Sequence, residues 1–146
     1  MKVWDIKLKD EEGSVNHLRR TIIDREDGMF GQASKADKKN KKRQVSILSK
    51  KARETIDQEQ LGGLCLFRFY ENITIEGLDA RAIKKGDLLQ IGETLQQVES
   101  VGKKCFEECK LVQAEKKCQL FNNVIFMRVL KGGFIEIDDE VKIVEG

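Results

Sequence analysis

The residues best suited to chemistry are cysteines, because three of the four in the chain fall between residues 105 and 118. Lys103 and Lys104 directly precede Cys105, and nearby positive charge lowers the pKa of a thiol below its usual value of about 8.5. Two glutamates directly before Cys109 have the opposite effect on that thiol. We therefore expect Cys105 to be the working thiol and Cys109 its resolving or structural neighbour. Simple packing of both cysteines in or near a strand stays open as an alternative.

Other chemistries for these cysteines need partners that the sequence does not clearly supply. A structural zinc site needs four ligands, and Cys118 alone stands where a second ligand pair would be required. Nucleophilic catalysis of the Cys–His type would need His17, the one histidine, to lie beside Cys105 in the fold. Structural zinc and a redox-sensing disulfide between Cys105 and Cys109 stay open as less favoured interpretations.

Length and charge indicate one soluble domain spanning residues 1–146. The chain has 146 residues, 36% of them charged, and a net charge of only +2, so nothing drives it towards nucleic acid or an anionic membrane. No apolar run approaches the roughly 20 residues that span a bilayer. Four irregularly spaced cysteines are typical of thiols kept reduced. We predict a cytoplasmic protein with no nucleic-acid or membrane partner, and the oligomeric state stays open.

A lysine-rich stretch is the one strongly charged part of the chain. Eight basic residues and a single acidic one lie between Lys35 and Lys51. Nucleic-acid binding would also require stacking aromatic residues or a known module, and neither accompanies this stretch. We interpret residues 33–42 as a solvated loop. Arg43 follows this loop where the chain becomes apolar, and its planar guanidinium is suited to binding a phosphate.

The remaining pattern predicts a mainly β protein with one or two short helices. Trp4, Ile6 and Leu8 alternate with polar residues, which is typical of a half-buried strand. Residues 49–60 are rich in helix formers, with Ser49 available as the N-cap. Short apolar runs punctuated by glycine follow at 64–77, 88–91, 95–101, 124–130, 134–137 and 141–144. This spacing favours an antiparallel sheet closed into a barrel or folded into a sandwich.

Four motifs in order resemble the MOSC domain, which occurs at the C-terminus of molybdenum cofactor sulfurases and as small free-standing bacterial proteins. They are Phe69-x-Glu71-Asn72-Ile73-x-x-x-Gly77-Leu78, Gly86-Asp87-x-Leu89-x-Ile91-Gly92, Gly102-Lys103-x-Cys105-x-x-x-Cys109 and Gly132-Gly133-Phe134-Ile135-x-Ile137-x-Asp139-x-Val141. The similarity runs from about Asp27 to the C-terminus. One departure is Gln32 after Gly31, where relatives tend to have an aspartate followed by a histidine.

The resemblance implies a β-barrel-like fold and a site built around a cysteine. Cys105 matches the family cysteine that carries sulfur or binds the molybdenum centre. Glu71 and Asn72 match the family's Glu-Asn pair, which either lines the cofactor pocket or forms a structural hydrogen-bonding pair. Arg43, Lys103 and Lys104 are the best candidates for binding the phosphate of a pterin.

The function predicted from this resemblance is binding of a molybdopterin-type cofactor, or sulfur transfer through Cys105 to a metal–sulfur cofactor. The expected partners are the pterin-type cofactor or a sulfur donor or acceptor protein. Two alternatives stay open: a thiol redox or metal-handling module that does not turn over, and a molybdenum-dependent reductase of N-hydroxylated compounds. Nothing in the chain resembles the lysine site of pyridoxal phosphate.

Overall fold

The computed structural model describes residues 1–9, 12, 14–26, 28–29, 44–58, 70–102 and 123–144. In this part of the chain the predicted mainly β fold is confirmed, with eleven strands, one α-helix and one turn of 3₁₀-helix. The strands are β1 Lys2–Lys9, β2 Val15–Leu18, β3 Arg20–Asp24, β4 Gly28–Met29, β5 Val45–Ser49, β6 Ile73–Glu76, β7 Leu88–Ile91, β8 Thr94–Val101, β9 Ile125–Lys131, β10 Gly133–Glu136 and β11 Val141–Val144. The α-helix α1 is Lys50–Gln58 and the 3₁₀-helix is Ala80–Ala82.

The described strands form two sheets. The larger sheet has eight strands in the order β11-β7-β8-β9-β5-β6-β1-β2, and the smaller has the order β10-β3-β4. The prediction of an antiparallel sheet needs one correction, because β5 and β6 pair in parallel. A parallel pair cannot be joined by a tight turn and needs a crossover connection. Helix α1 lies in that crossover and packs against both strands.

Branched apolar residues on the larger sheet build the core. On β5 and β6 these residues are fully buried, and β-branched side chains favour strands because they pack well on a pleated surface. The smaller sheet adds Ile23 and Ile135 to the same cluster. The main members are Val3, Ile6, Val45, Ile47, Ile73, Ile75, Leu89, Ile91, Val98, Ile125 and Met127.

The larger sheet is not closed into a barrel. Its outer strands, β11 and β2, do not pair with each other. Closure comes nearest at Lys2, which forms a single bridge with Glu140, just before β11. Three backbone hydrogen bonds surround this bridge: the Val3 N–H donates to the Asp139 carbonyl, the Asp138 N–H to the Val3 carbonyl and the Val141 N–H to the Met1 carbonyl. Strand β2 pairs with β1 only from Ile6 onwards. The sheet therefore stays open, with a short hydrogen-bonded link between the start of β1 and the start of β11.

Candidate functional site

A cleft of about 540 Å³ lies between the start of α1 and the 3₁₀-helix. The pairing register brings the ends of β5, β6 and β8 and the start of β9 to this end of the larger sheet, since Val101 pairs with Ile125, Ile125 with Ile47, and Ser49 with Ile75. The described residues that line the cleft are Ser49, Lys51, Ala52, Thr55, Leu78, Asp79, Ala80, Arg81 and Asn123. Loops and helix ends above a rigid sheet are common positions for binding sites.

One wall of the cleft is the first part of α1. The Ser49 hydroxyl accepts a hydrogen bond of 3.1 Å from the backbone N–H of Ala52, so it is the N-cap that the sequence predicted. Lys51, Ala52 and Thr55 line the cleft from this helix. The positive end of the helix dipole adds to the charge of Lys51 and favours a negatively charged group nearby.

The opposite wall is the 3₁₀-helix after β6. Asp79 is its N-cap and accepts a hydrogen bond of 3.0 Å from the Arg81 backbone N–H. The Arg81 side chain is 89% exposed and forms an ion pair of 3.2 Å with the same carboxylate. Hydrogen bonds from Arg81 and the charges of Arg81 and Lys51 hold the pKa of Asp79 below its usual value. With Arg81 paired to Asp79, the described wall residues carry one net positive charge, which favours an anionic ligand.

The predicted cysteine site lies outside the described residues. This holds for Cys105, Cys109, Lys103 and Lys104, and also for Arg43. The chain on both sides of residues 103–122 is described: the Gly102 N–H donates to the Val124 carbonyl over 2.6 Å. Asn123, the first described residue after this segment, lines the cleft. The predicted roles of the cysteines therefore stay predictions.

Glu71 is fully buried and its carboxylate is surrounded by donors. Arg53 Nε lies 3.1 Å from both carboxylate oxygens, and Arg53 Nη2 lies 2.6 Å from Oε1. Lys7 Nζ lies 3.0 Å from Oε1, and the Thr74 hydroxyl donates to Oε2 over 2.8 Å. Burial alone would raise the pKa of Glu71, but the Arg53 hydrogen bonds and the charges of Lys7 and Arg53 outweigh it and lower that pKa.

Asn72 joins three strands through its side chain and backbone. Its Oδ1 accepts hydrogen bonds from the Ser46 backbone N–H at 3.1 Å and the Ser46 hydroxyl at 3.2 Å. Its Nδ2 donates to the Lys7 carbonyl over 3.3 Å. Neither Asn72 nor Glu71 is among the described residues that line the cleft. The geometry matches the hydrogen-bonding alternative for this pair, while a role towards a cofactor stays a prediction.

The sequence interpretation did not identify four side chains of this region: Lys51 and Arg81 in the cleft, and Lys7 and Arg53 around Glu71. Lys7 occupies a polar position of an alternating strand, so its 8% side-chain exposure was not expected. The available signal was Glu71 itself, because a carboxylate between apolar segments needs a cationic partner when buried. Within the described residues, no group of three or more histidine, cysteine or acidic side chains could hold a metal ion.

A family model described as the MOSC domain matches residues 30–142 of the chain. The chain belongs to the MOSC domain family. This family is associated with molybdenum cofactor binding. A comparison with curated proteins found no match.

Solved structures of MOSC-domain proteins are similar in fold. YiiM from Escherichia coli superposes with a TM-score of 0.64 at 18% identity, covering 100% of this chain and 71% of that one. YiiM from Geobacillus stearothermophilus gives 0.61 at 18% identity, with 99% and 75% covered. YuaD from Bacillus subtilis gives 0.67 at 15% identity, with 97% and 94% covered. At these identities the likeness shows the fold alone. Within the described residues of this MOSC protein, no helix has the length and hydrophobicity to cross a membrane.

Proposed function

We propose that this MOSC protein binds a molybdopterin-type cofactor in the cleft between α1 and the 3₁₀-helix, and that Cys105 supplies the thiolate that ligates or sulfurates its metal. The observation that carries this proposal is the position of Asn123. This residue follows the segment that contains Cys105, and it lines the cleft. The family's association with molybdenum cofactor binding supports the same ligand class.

The size and charge of the cleft fit such a ligand. Its volume of about 540 Å³ lies within the range of roughly 300–1,000 Å³ that is usual for small-molecule sites. Lys51 offers a point charge suited to a phosphate. The Arg81 guanidinium binds both oxygens of Asp79 through Nε and Nη2, and its remaining N–H groups can donate to a phosphate as well. Arg43, Lys103 and Lys104 are proposed as further phosphate contacts. When bound, the cofactor supplies a metal–sulfur centre, for which a soft thiolate is a suitable ligand.

Sulfur transfer is the finer part of the proposal. A persulfide donor transfers its outer sulfur to the Cys105 thiolate, which becomes a persulfide while the donor is left as a thiol. Cys109 can then attack the inner sulfur of Cys105, forming the Cys105–Cys109 disulfide and releasing hydrogen sulfide. The two lysines before Cys105 support its role as the acceptor, because they favour its thiolate form.

Pterin and molybdenum analysis of protein purified from a molybdenum-replete host tests the proposal. We expect the wild type to retain pterin, detected as its fluorescent oxidation product, together with molybdenum. The Lys51→Gln/Arg81→Gln double variant should lose most of the pterin, whereas Lys84→Gln/Lys142→Gln removes equal charge outside the cleft and should not. Wild-type protein without pterin, or equal retention in both double variants, contradicts binding in this cleft.

The role of Cys105 is tested separately with a persulfide donor and cyanolysis. Wild-type protein should gain one cyanide-reactive sulfur, and Cys105→Ser should gain none. Cys65→Ser is the matched control and should load like the wild type. Loading that survives in Cys105→Ser would rule out Cys105 as the sulfur carrier.

A further inference from the structure

The described side chains of α1, those of residues 50–55, contact the sheet mainly through polar groups. Among its residues with described side chains, Ala52 is the one apolar residue, and its small side chain buries little apolar surface. Lys50 reaches Glu76 over 3.7 Å and lies over the Trp4 ring at 3.7 Å from its centroid. The closest of these polar contacts is the Arg53–Glu71 pair, with its shortest distance at 2.6 Å.

Arg53 and the cleft lie on different sides of α1. At about 100° per residue, Lys51, Ala52 and Thr55 fall within one arc of roughly 100°, and Arg53 is about 150° from the middle of that arc. The bidentate geometry of Arg53 with a carboxylate fixes both distance and orientation. A change at Arg53 therefore shifts or rotates the helix that forms one wall of the cleft.

The carboxylate that Arg53 binds is itself held from the strands. Lys7 reaches Glu71 from β1, and Thr74 donates to it from β6. The neighbouring Asn72 is bonded to Ser46 of β5. Glu71 is thus tied to the sheet independently of Arg53, and it gives α1 a rigid point of attachment.

We propose that Arg53 is a positioning residue for the cofactor cleft. Through Glu71, and with Lys7 holding that carboxylate in place, it sets where α1 presents Lys51 and Thr55 to the ligand. This inference rests on the proposed function, because it assigns the cleft as the site that α1 must be positioned for. In this inference, the buried Glu71 and Asn72 help to position α1 and do not contact the ligand.

Two substitutions of Arg53 test the inference. Arg53→Lys keeps the charge but not the fork, and Arg53→Met keeps only the length of the side chain. Both should retain about tenfold less pterin than the wild type when compared as folded protein, since small displacements of binding groups are costly. Lys84→Met, a charge removed from the exposed surface outside α1, should retain the wild-type amount. If Arg53 served only to supply a positive charge to the fold, Arg53→Lys would retain as much pterin as the wild type.

Trp4 gives a second measurement that needs no ligand. It is the only tryptophan in the chain, and its contact with Lys50 makes its near-ultraviolet circular dichroism a probe of the start of α1. We expect both Arg53 variants, but not Lys84→Met, to change this signal and to speed amide exchange over residues 50–55. Wild-type pterin retention in both Arg53 variants overturns the inference. If the wild type itself holds no pterin, the proposed function fails. In that case, an unchanged Trp4 signal and unchanged amide exchange in both Arg53 variants overturn the positioning role as well.

Discussion

Glu71 stays charged in the protein interior because two cations and a hydroxyl reach its carboxylate. Burial of a carboxylate without partners favours the neutral acid, whereas bidentate binding by Arg53 and the charge of Lys7 favour the anion. The pairing outweighs the burial, so the carboxylate is ionised at neutral pH. Arg53 and Lys7 depend on this charge in turn, since both are largely buried.

Replacing Glu71 with glutamine should destabilise the fold strongly. The variant removes the buried carboxylate that Arg53 and Lys7 both bind, and breaking a buried ion pair costs about 3–5 kcal/mol of unfolding free energy. Glu54→Gln is the matched control, because Glu54 pairs with Lys50 on the exposed side of α1, and its effect should stay below about 0.5 kcal/mol. Urea unfolding measures both, and equal effects of the two substitutions would contradict the structure around Glu71.

The same carboxylate should make stability depend on pH in acid. Its pKa is lower in the folded protein than the ordinary value of 4.5, so the unfolded chain binds the proton more readily. The stabilisation is therefore present above pH 4.5 and is lost as the pH falls through the folded-state pKa. Unfolding free energy measured against pH should decline more steeply below 4.5 in the wild type than in Glu71→Gln. Parallel curves would show that Glu71 is not ionised in the fold.

Gln96 is a buried polar residue that the fold satisfies only in part. Its Nε2 donates to the Thr94 hydroxyl over 3.0 Å, and that hydroxyl donates to the Ile91 carbonyl over 2.8 Å. Since the hydroxyl proton is already used, the amino group of Gln96 must face Thr94. The Gln96 Oε1 atom has no hydrogen-bond partner in the described part of the chain.

Replacement of Gln96 by methionine should therefore be tolerated. Removing a buried acceptor without a partner compensates for losing one hydrogen bond, so the unfolding free energy should change by less than about 1 kcal/mol. Met127→Ala, which opens a cavity at a fully buried position, should cost about 2–5 kcal/mol in the same thermal unfolding series. A loss of similar size in Gln96→Met would show that Oε1 has a strong partner.

At the scale of elements, glycine is favoured where the backbone has a positive φ or lies very close to a neighbouring segment. Gly28 in β4 has a φ of +73°, and an added Cβ would lie 2.8 Å from the Gln44 carbonyl oxygen. Gly86 has a φ of +94° with nothing within 4 Å of such a Cβ. Both glycines have a positive φ that favours glycine. Of the two, only Gly28 also lies so close to a neighbour that an added side chain would overlap it.

Alanine substitutions at these two glycines should separate strain from steric overlap. Gly86→Ala should cost about 1–2 kcal/mol from the left-handed backbone alone. Gly28→Ala should cost more, about 2–5 kcal/mol, because the Gln44 backbone must also move. Denaturant midpoints of both variants provide the measurement. Equal losses would mean that Gln44 does not approach Gly28 as closely as the structure has it.

The sequence predicted the elements whose own pattern is strong. The helix expected over 49–60 is Lys50–Gln58, and the strands expected at 88–91 and 141–144 are Leu88–Ile91 and Val141–Val144. Strands β2 and β3 were not predicted, because Val15–Leu18 and Arg20–Asp24 are mostly exposed and lack an apolar alternation. Their pairing with β1 and β10 is set by tertiary contacts that local pattern does not contain.

The candidate site was less predictable than the fold. The motif with Glu71 and Asn72 was visible in the sequence, but its partners Lys7 and Arg53 lie 64 and 18 residues from Glu71 in the chain, as the numbering shows. Arg81 and Lys51 looked like ordinary surface charges. Only the parallel pairing of β5 with β6 brings α1 and the 3₁₀-helix together at one end of the sheet.

At the scale of the whole molecule, the described residues line more than one cleft, and these clefts differ in charge. The proposed cleft lies beside the ends of β5, β6 and β8, while a second cleft of about 290 Å³ is lined by Gln90, Gly92, Glu93, Asp139, Glu140 and Lys142. Three of those six residues are acidic and one is basic, which disfavours an anionic cofactor there. An anionic cofactor is therefore expected in the cleft beside α1 and not in this acidic cleft.

Hydrogen–deuterium exchange distinguishes the two clefts when protein purified from a molybdenum-replete host is compared with protein from a host that cannot make molybdopterin. We expect slower exchange with cofactor over residues 49–55 and 79–82, which form the two walls of the cleft beside α1. Exchange over residues 90–93 and 139–142, in the acidic cleft, should stay unchanged. Slower exchange confined to the acidic cleft, or identical exchange in a sample that demonstrably holds pterin, would rule out binding in the cleft beside α1.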